Sequence, residues 1–385
     1  MRLRYEPWGA WAKLDSMPAI VGLDRDGVRA LGLDGGPTWE PGAPPTPPIE
    51  VSLAVTSRCA AGCQGCYLDA HPDGVEPPRE TLLAALDALR DAGVFVVSFG
   101  GGEPTTRKDL GLLAIEAKAR GLTPVVTTSG IGLSPAKLER LRAFAQVNVS
   151  YDGAAEDYAN VRGFDGASAA ESAIRALAAE KIAVGVNVVL TRATLPNLRT
   201  TLERARSLGA IEAQLLRYKP AGRAAKLDYF ARRLTPEQTA SLGPLLRELV
   251  HEYAAMSGEF HIRIDCATVP LLSGDPEVTR ERLSQWGVFG CEATGALAAV
   301  KIDDKVAPCS FAKSTAMTSR SLVRGHEDDP EFKLWRAYNV DPAEPCASCD
   351  LRPVCKGGCK VVSGFVDAVH GPDPECPRVR AFRSV

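Results

Sequence analysis

The chain has 385 residues, of which 45% are hydrophobic and 24% are charged, and its formal net charge is −2 at pH 7. This balance excludes a mainly disordered chain, a coiled coil and a collagen-like repeat, and the length allows two or three domains. A near-neutral charge predicts no nucleic-acid partner. Residues 1–16 are too polar for a secretory signal and no apolar run is long enough to span a bilayer, so we expect a soluble cytoplasmic protein without a membrane partner.

The first 48 residues predict a small appendage followed by a linker. Residues 1–36 contain short apolar runs and a helical pattern near 28–31, typical of a hairpin and one helical turn. Six prolines lie between positions 37 and 48, and prolines hold a linker extended. The appendage is too short to be an independent domain.

Strands and helices alternate from residue 49. The predicted strands are short and apolar, at 51–55, 94–99, 123–127, 147–151, 184–190 and 213–217. The helix after the first strand has Leu82, Leu86 and Leu89 on one face, and a capping-box pattern at 235–238 opens a last helix that ends near 255. Six such units predict an α/β fold with a parallel sheet, either a partial (β/α)6 TIM-like barrel or a doubly wound sheet, which periodicity alone does not separate.

The character of the sequence changes after residue 260. The alternation stops, cysteines accumulate, and Gly and Pro interrupt short segments. We therefore divide the chain into an appendage and linker (1–48), a barrel (49–230), a bridging helix (231–260) and a small Cys-rich domain (261–385) whose core is organised by metal.

The cysteines are grouped along the chain. There are 11, with three between positions 59 and 66 and eight between 266 and 376. An odd number without an export signal argues against a disulfide framework and for metal or cluster ligands.

The first group is Cys-x3-Cys-x2-Cys, formed by Cys59, Cys63 and Cys66 directly after the first barrel strand. Three thiolates bind three irons of a cubane cluster and leave the fourth iron open, as expected for a catalytic site. The alternative is a zinc site that His71 or an acid completes.

This motif, followed by Tyr67, resembles the signature of the radical S-adenosylmethionine (SAM) superfamily. The resemblance implies that the cluster held by Cys59, Cys63 and Cys66 binds SAM at its open iron. The reduced cluster then cleaves SAM to a 5′-deoxyadenosyl radical, which removes hydrogen from the substrate.

The same resemblance implies which residues contact SAM. A Gly-Gly-Glu segment ends the second strand, a Thr-Ser pair ends the third where the family often has Asn, and a Ser-x-Asp-Gly segment ends the fourth. A turn or surface role is the alternative for the residues at the ends of the third and fourth strands and for Arg162. The predicted cofactor-binding residues are Tyr67, Gly101, Gly102, Glu103, Thr128, Ser129, Ser150, Asp152 and Arg162.

The last five cysteines form Cys-x2-Cys-x5-Cys-x3-Cys-x16-Cys, preceded by Cys291 and a Pro-Cys pair at Cys309. This pattern resembles the SPASM domain, which carries auxiliary clusters in many peptide-modifying radical SAM enzymes. The resemblance implies three [4Fe–4S] clusters in all, one that binds SAM and two auxiliary. Their assigned ligands are Cys266, Cys291, Cys309 and Cys359 for one, and Cys346, Cys349, Cys355 and Cys376 for the other. Cys266 as a free thiol and a structural zinc domain remain alternatives.

Fully ligated auxiliary clusters favour net oxidation, because they can take an electron from a substrate radical. Sulfatase-maturing relatives have an Asp base after the Pro-Cys pair, and Ser310 in that place argues against formylglycine formation. Epimerisation needs a spare cysteine, which exists only if Cys266 is free.

We therefore expect oxidative modification of a ribosomally synthesised peptide, by a thioether or carbon–carbon crosslink, with flavodoxin or ferredoxin as electron donor. The alternatives are the same radical chemistry on a small molecule, such as a sugar or cofactor precursor, and a non-catalytic metal-stabilised binding protein. The unranked candidates for a base or radical relay are Tyr67, Asn187, Arg217, Tyr218 and Asp265.

Overall fold

The computed structural model describes residues 2–14, 20–41, 43, 46–226, 229–256, 260–323, 326–367 and 371–384, which include all 11 cysteines. The strands are β1 (Arg2–Glu6), β2 (Gly9–Lys13), β3 (Ile20–Asp24), β4 (Glu50–Thr56), β5 (Val96–Gly101), β6 (Thr123–Thr128), β7 (Gln146–Ser150), β8 (Val184–Leu190), β9 (Glu212–Arg217), β10 (His261–Ile264), β11 (Leu297–Val300) and β12 (Val306–Ala307).

The helices connect and cover these strands. Those of the N-terminal part and the barrel are α1 (Arg25–Ala30), α2 (Arg79–Asp91), α3 (Leu110–Ala119), α4 (Pro135–Leu141), α5 (Ala155–Arg162), α6 (Ala167–Ala179), α7 (Leu198–Ser207), α8 (Arg223–Lys226), α9 (Tyr229–Arg232) and α10 (Pro236–Ala254). The later ones are α11 (Arg280–Gln285), α12 (Pro330–Val340), α13 (Arg352–Cys355), α14 (Lys360–Val366) and α15 (Pro377–Arg383). No helix in these described ranges is long and apolar enough to cross a membrane.

The N-terminal appendage is a three-stranded antiparallel sheet in the order β1-β2-β3, followed by α1. It has one strand more than the hairpin that the sequence predicts. The sheet packs on the barrel through arginines of β1, because the Arg4 guanidinium donates to the carbonyls of Pro48 and Gly93. The Arg2 guanidinium lies 4.7 Å from the centre of the Phe95 ring.

The second sheet decides between the two predicted architectures. Strands β4 to β9 are neighbours in chain order and all are parallel. A doubly wound sheet would reverse direction beside its first strand, whereas crossovers that always advance in one direction curl the sheet into a barrel. The partial (β/α)6 TIM-like barrel is therefore confirmed. Its apolar strands and the inner faces of its helices form one continuous core, as expected for a parallel sheet that helices cover.

The Cys-rich region contributes to both edges of the barrel sheet. β10 pairs in parallel with β9, and β11 pairs in parallel with β4 and antiparallel with β12. An open sheet edge exposes unpaired N–H and C=O groups, and these additional strands satisfy them. The region after residue 260 thus shares a sheet with the barrel.

Candidate active site

The loop that follows β4 carries Cys59, Cys63 and Cys66, and its backbone is tied to neighbouring segments. The Cys59 amide donates to the His71 carbonyl (2.8 Å). Arg223 donates its backbone N–H to the Cys66 carbonyl (2.8 Å) and its Nε to the Cys63 carbonyl (3.0 Å). The loop conformation is thus held by its backbone bonds, and all three thiols line a cavity of about 400 Å³ in the barrel.

The donor set of this loop fits a metal group better than free thiols. Burial raises the pKa of the Cys59 and Cys63 thiols, although the positive charge of Arg162 opposes this at Cys63. Buried thiols of this kind become thiolates when a cationic metal binds them. His71, a possible fourth ligand in the alternative zinc site, does not line the cavity, and its Nε2 lies 3.4 Å from Asp69 Oδ1. In the described ranges no three His, Cys, Asp or Glu side chains are arranged to hold a single metal ion.

The predicted SAM contacts surround this cavity with one exception. Those that line it are Tyr67, Gly101, Gly102, Glu103, Thr128, Ser129, Ser150 and Arg162. Asp152 is fully buried behind the wall. Its Oδ2 accepts from Arg162 Nε (2.7 Å) and its Oδ1 accepts from the Val189 amide (2.8 Å). Asp152 therefore positions Arg162 and does not itself face the cavity.

Gly101 and Gly102, at the end of β5, lie against the backbone that leads into the cysteine loop, where there is no room for a Cβ. A Cβ on Gly101 would lie 2.1 Å from the Thr56 carbonyl oxygen, and one on Gly102 would lie 2.2 Å from the Arg58 carbonyl oxygen. Gly101 also has a φ of +115°, which side chains rarely adopt. The glycines allow the next residue, Glu103, to reach the cavity beside the thiols.

The Glu103 carboxylate is held by five donors. Its Oε1 accepts from the amide and the hydroxyl of Thr105 and from the hydroxyl of Thr128, at 3.2, 2.7 and 2.7 Å. Its Oε2 accepts from the amide and the hydroxyl of Ser129, at 2.8 and 2.7 Å. Thr128 and Ser129 thus orient Glu103. Thr105 was not predicted, and its only sequence signal is the Glu-Pro-Thr turn that follows the glycines.

The Cys-rich region places four more thiols on the same cavity. They are Cys266, Cys291, Cys309 and Cys359, which come from four separate segments. Burial is the largest cause of the raised pKa of Cys266, and the neighbouring Cys291 and Cys359 raise it further. Burial and then Cys291 likewise raise the pKa of Cys309. These four side chains therefore form one group.

The remaining four cysteines, Cys346, Cys349, Cys355 and Cys376, form a second group away from the cavity wall. Burial raises the pKa of Cys346 to about 12, and Cys376 and Cys349 add to this rise. Burial and then Cys376 raise the pKa of Cys355. Four of the eight cysteines of the Cys-rich region thus line the cavity and four lie away from it.

Polar and aromatic side chains lie between the barrel thiols and the first group of C-terminal thiols. Lys219 Nζ lies 2.5 Å from Asp265 Oδ2 and 4.2 Å from the centre of the Phe311 ring, which packs on Tyr67 at 4.6 Å. Burial disfavours the Lys219 charge, but Asp265 outweighs it and raises the Lys219 pKa to about 12. Phe311 has no distinguishing sequence signal and was missed.

The five candidates for a base or relay all line the cavity. Arg217 is committed elsewhere, because it donates to Ala267, Asp373 and Glu375. The side chains of Asn187 and Tyr218 each have a buried oxygen without a hydrogen-bond partner among the described residues.

Comparison with known proteins agrees with this geometry. Residues 53–205 match the Radical SAM superfamily. The PqqA peptide cyclase of Granulibacter bethesdensis is 26% identical over 86% of this chain and 87% of its own length. The mycofactocin maturase MftC of Mycobacterium tuberculosis is 28% identical over 86% of this chain and 83% of its own length.

Solved structures share the whole fold. Streptococcus suis SuiB, bound to its precursor peptide SuiA, superposes with a TM-score of 0.73 at 17% identity and covers 97% of this chain and 98% of its own. The anSMEcpe enzyme, with bound AdoMet and a peptide, superposes with a TM-score of 0.61 at 19% identity and covers 87% of this chain and 96% of its own. Residues 53–205 therefore form a domain of the radical SAM superfamily, and the chain has the fold of the SPASM-type enzymes SuiB and anSMEcpe.

Proposed function

We propose that this enzyme uses SAM to modify a ribosomally synthesised peptide oxidatively, by forming a thioether or carbon–carbon crosslink. One observation carries the proposal. Seven thiols line a single cavity, three from the loop after β4 and four from the Cys-rich region. A site for radical generation and a site for electron acceptance would then face the same substrate.

Membership in the superfamily implies a [4Fe–4S] cluster and SAM. We assign the cluster to Cys59, Cys63 and Cys66, whose buried thiols fit its ligand chemistry. When bound, the cluster and SAM supply an electron and the 5′-deoxyadenosyl radical that takes hydrogen from the substrate. We assign the SAM ammonium to Glu103, because an oriented carboxylate forms charge-assisted hydrogen bonds with such a group, and the SAM carboxylate to Arg162.

We further propose two auxiliary [4Fe–4S] clusters, one on the four cavity-lining cysteines and one on the second group. A crosslink that forms with loss of two hydrogens requires one to leave as a hydrogen atom and the other as a proton and an electron. A cluster on the first group of C-terminal thiols would serve as an electron acceptor at the cavity wall, which those thiols line. Asp265, held by Lys219, is the cavity carboxylate nearest to these thiols along the chain and a candidate proton acceptor.

The peptide substrate is supported by the relatives. The two curated relatives are named a peptide cyclase and a maturase, and SuiB is bound to a precursor peptide. We propose flavodoxin or ferredoxin as electron donor. Because cluster assembly needs reduced thiols, we assign the enzyme to the cytoplasm.

The test uses anaerobically reconstituted enzyme. Iron and sulfide are measured first, and then 5′-deoxyadenosine is quantified with SAM, reductant and a short peptide encoded beside this gene. We expect iron for three clusters, reductant-dependent 5′-deoxyadenosine and a peptide that has lost two hydrogens. Stoichiometric zinc without SAM cleavage would overturn the radical chemistry. Cleavage that only a small molecule stimulates would overturn the peptide substrate.

A further inference from the structure

Lys360, at the start of α14, is a buried cation for which the described part of the chain supplies no acidic partner. The residue is 1% exposed. Its Nζ donates to the carbonyls of Lys356 (2.7 Å) and Gly358 (3.2 Å) and lies 4.9 Å from the centre of the Tyr338 ring. Among the described residues no carboxylate lies within ion-pair distance of it. A buried lysine without a counter-charge is unusual, because carbonyl hydrogen bonds alone do not neutralise a charge that has lost its hydration.

The other buried cations nearby are balanced within the chain. Arg217 pairs with Asp373 and Glu375. Lys219 pairs with Asp265. The contrast indicates that the counter-charge of Lys360 comes from a group that the polypeptide binds and does not itself supply.

Lys360 lies between the two groups of C-terminal cysteines. It directly follows Cys359 of the first group and lines the cavity with it. The carbonyls that hold its ammonium belong to the turn that joins Cys355, of the second group, to Cys359. The ammonium is also close enough to the second group to lower the pKa of Cys346 and Cys355, against the larger rise that burial causes.

We propose that the Lys360 ammonium is the counter-charge of the two auxiliary clusters and raises their reduction potential. The proposal rests on the proposed function, since it needs those clusters. A cluster would gain one negative charge on taking an electron from the substrate radical, and the Lys360 ammonium would stabilise that reduced form more than the oxidised one. Lys360 would thereby make the clusters better electron acceptors. It is a positioning charge, not a catalytic residue.

The experiment compares reconstituted holoenzymes carrying Lys360→Met, Lys360→Gln and Lys360→Arg. Gln keeps an N–H donor for the two carbonyls without the charge, and Arg keeps the charge. Lys333→Met is the matched control, because Lys333 is exposed and pairs with Asp328 on the surface. Iron and sulfide are measured, and each cluster's midpoint potential is taken from a redox titration followed by electron paramagnetic resonance.

We expect the Met and Gln variants to take up an electron at an auxiliary cluster at least tenfold less favourably, a negative shift of about 59 mV for one electron. The Arg variant and the control stay near the parent value. Loss of auxiliary iron in the neutral variants alone also supports the proposal, because the charge is then needed for assembly.

A full iron content with unchanged midpoint potentials in both neutral variants would overturn the proposal about Lys360. An equal loss of iron in the Arg variant would also overturn it. A parent enzyme without auxiliary iron would instead overturn the proposed function.

Discussion

Arg217 lies at the end of β9 and ties the barrel to the Cys-rich region. Its guanidinium donates to Asp373 at 2.6 and 3.0 Å, to Glu375 at 2.9 Å and to the Ala267 carbonyl at 2.9 Å. The three charged side chains are 1–4% exposed. We expect Arg217→Met to leave two buried carboxylates without their main partner.

Removing one partner of a buried ion pair costs about 3–5 kcal/mol. The lower end, ~3 kcal/mol, is expected here, because both carboxylates keep other donors. Asp373 still accepts from the amides of Cys359 and Glu375, and Glu375 still accepts from Arg233. The matched control is Arg383→Met, whose pair with Asp367 is 46% and 21% exposed and should contribute less than ~1 kcal/mol.

The assay is urea unfolding of the reconstituted enzymes without oxygen, followed by near-ultraviolet circular dichroism. We expect a lower midpoint for Arg217→Met with an unchanged slope, and almost no change for Arg383→Met. In the double variant with Asp373→Asn, the total loss of unfolding free energy should be smaller than the sum of the two single losses, because both substitutions remove the same interaction. A free energy of unfolding within ~0.5 kcal/mol of that of the control, or simple additivity of the two losses, would refute the reasoning.

Three further predictions test the site and its surroundings. Glu103→Gln should weaken SAM binding in equilibrium dialysis by about 10- to 100-fold, since a charge-assisted hydrogen bond contributes ~1.5–3 kcal/mol, and equal affinity would contradict the assignment. Cys346→Ala should lose one cluster's iron yet still cleave SAM, because Cys346 lies off the cavity, and full iron would remove it as a ligand. Burial and then Arg336 lower the pKa of His326 below its usual 6.5. The stability that neutral His326 contributes is therefore full above pH 6.5 and is lost as the pH falls through its lowered pKa. The urea midpoint should fall with pH in this range, and His326→Gln should reduce that fall.

Much of this architecture is readable from short stretches of sequence. The six strands of the barrel are recognisable as short apolar runs, because the strand positions that pack under the helices are apolar. The cysteine loop is equally local, since Cys59, Cys63 and Cys66 lie within one turn of chain after β4. The three thiols of such a motif stay close to one another because they are close in sequence.

The contacts of the Gly-Gly-Glu segment were not readable in this way. The sequence indicates a close approach at Gly101 and Gly102, but only the fold identifies the neighbour as the backbone of Thr56 and Arg58. Likewise Thr128 and Ser129 were predicted to bind the cofactor, and the fold shows that both line the cavity and donate to Glu103. Adjacent strand ends meet in space regardless of their separation in sequence.

What the sequence by itself determined is the local chemistry and the local elements: three thiols in one loop, an acid after two glycines and six strands of a parallel sheet. Tertiary structure alone decided which distant groups share a site. Cys266, Cys291, Cys309 and Cys359 come together because the Cys-rich region adds β10 and β11 to opposite edges of the barrel sheet. The burial that brings them together also leaves the Lys360 ammonium without a carboxylate among the described residues, and no pattern along the chain reveals which charges lose their water on folding.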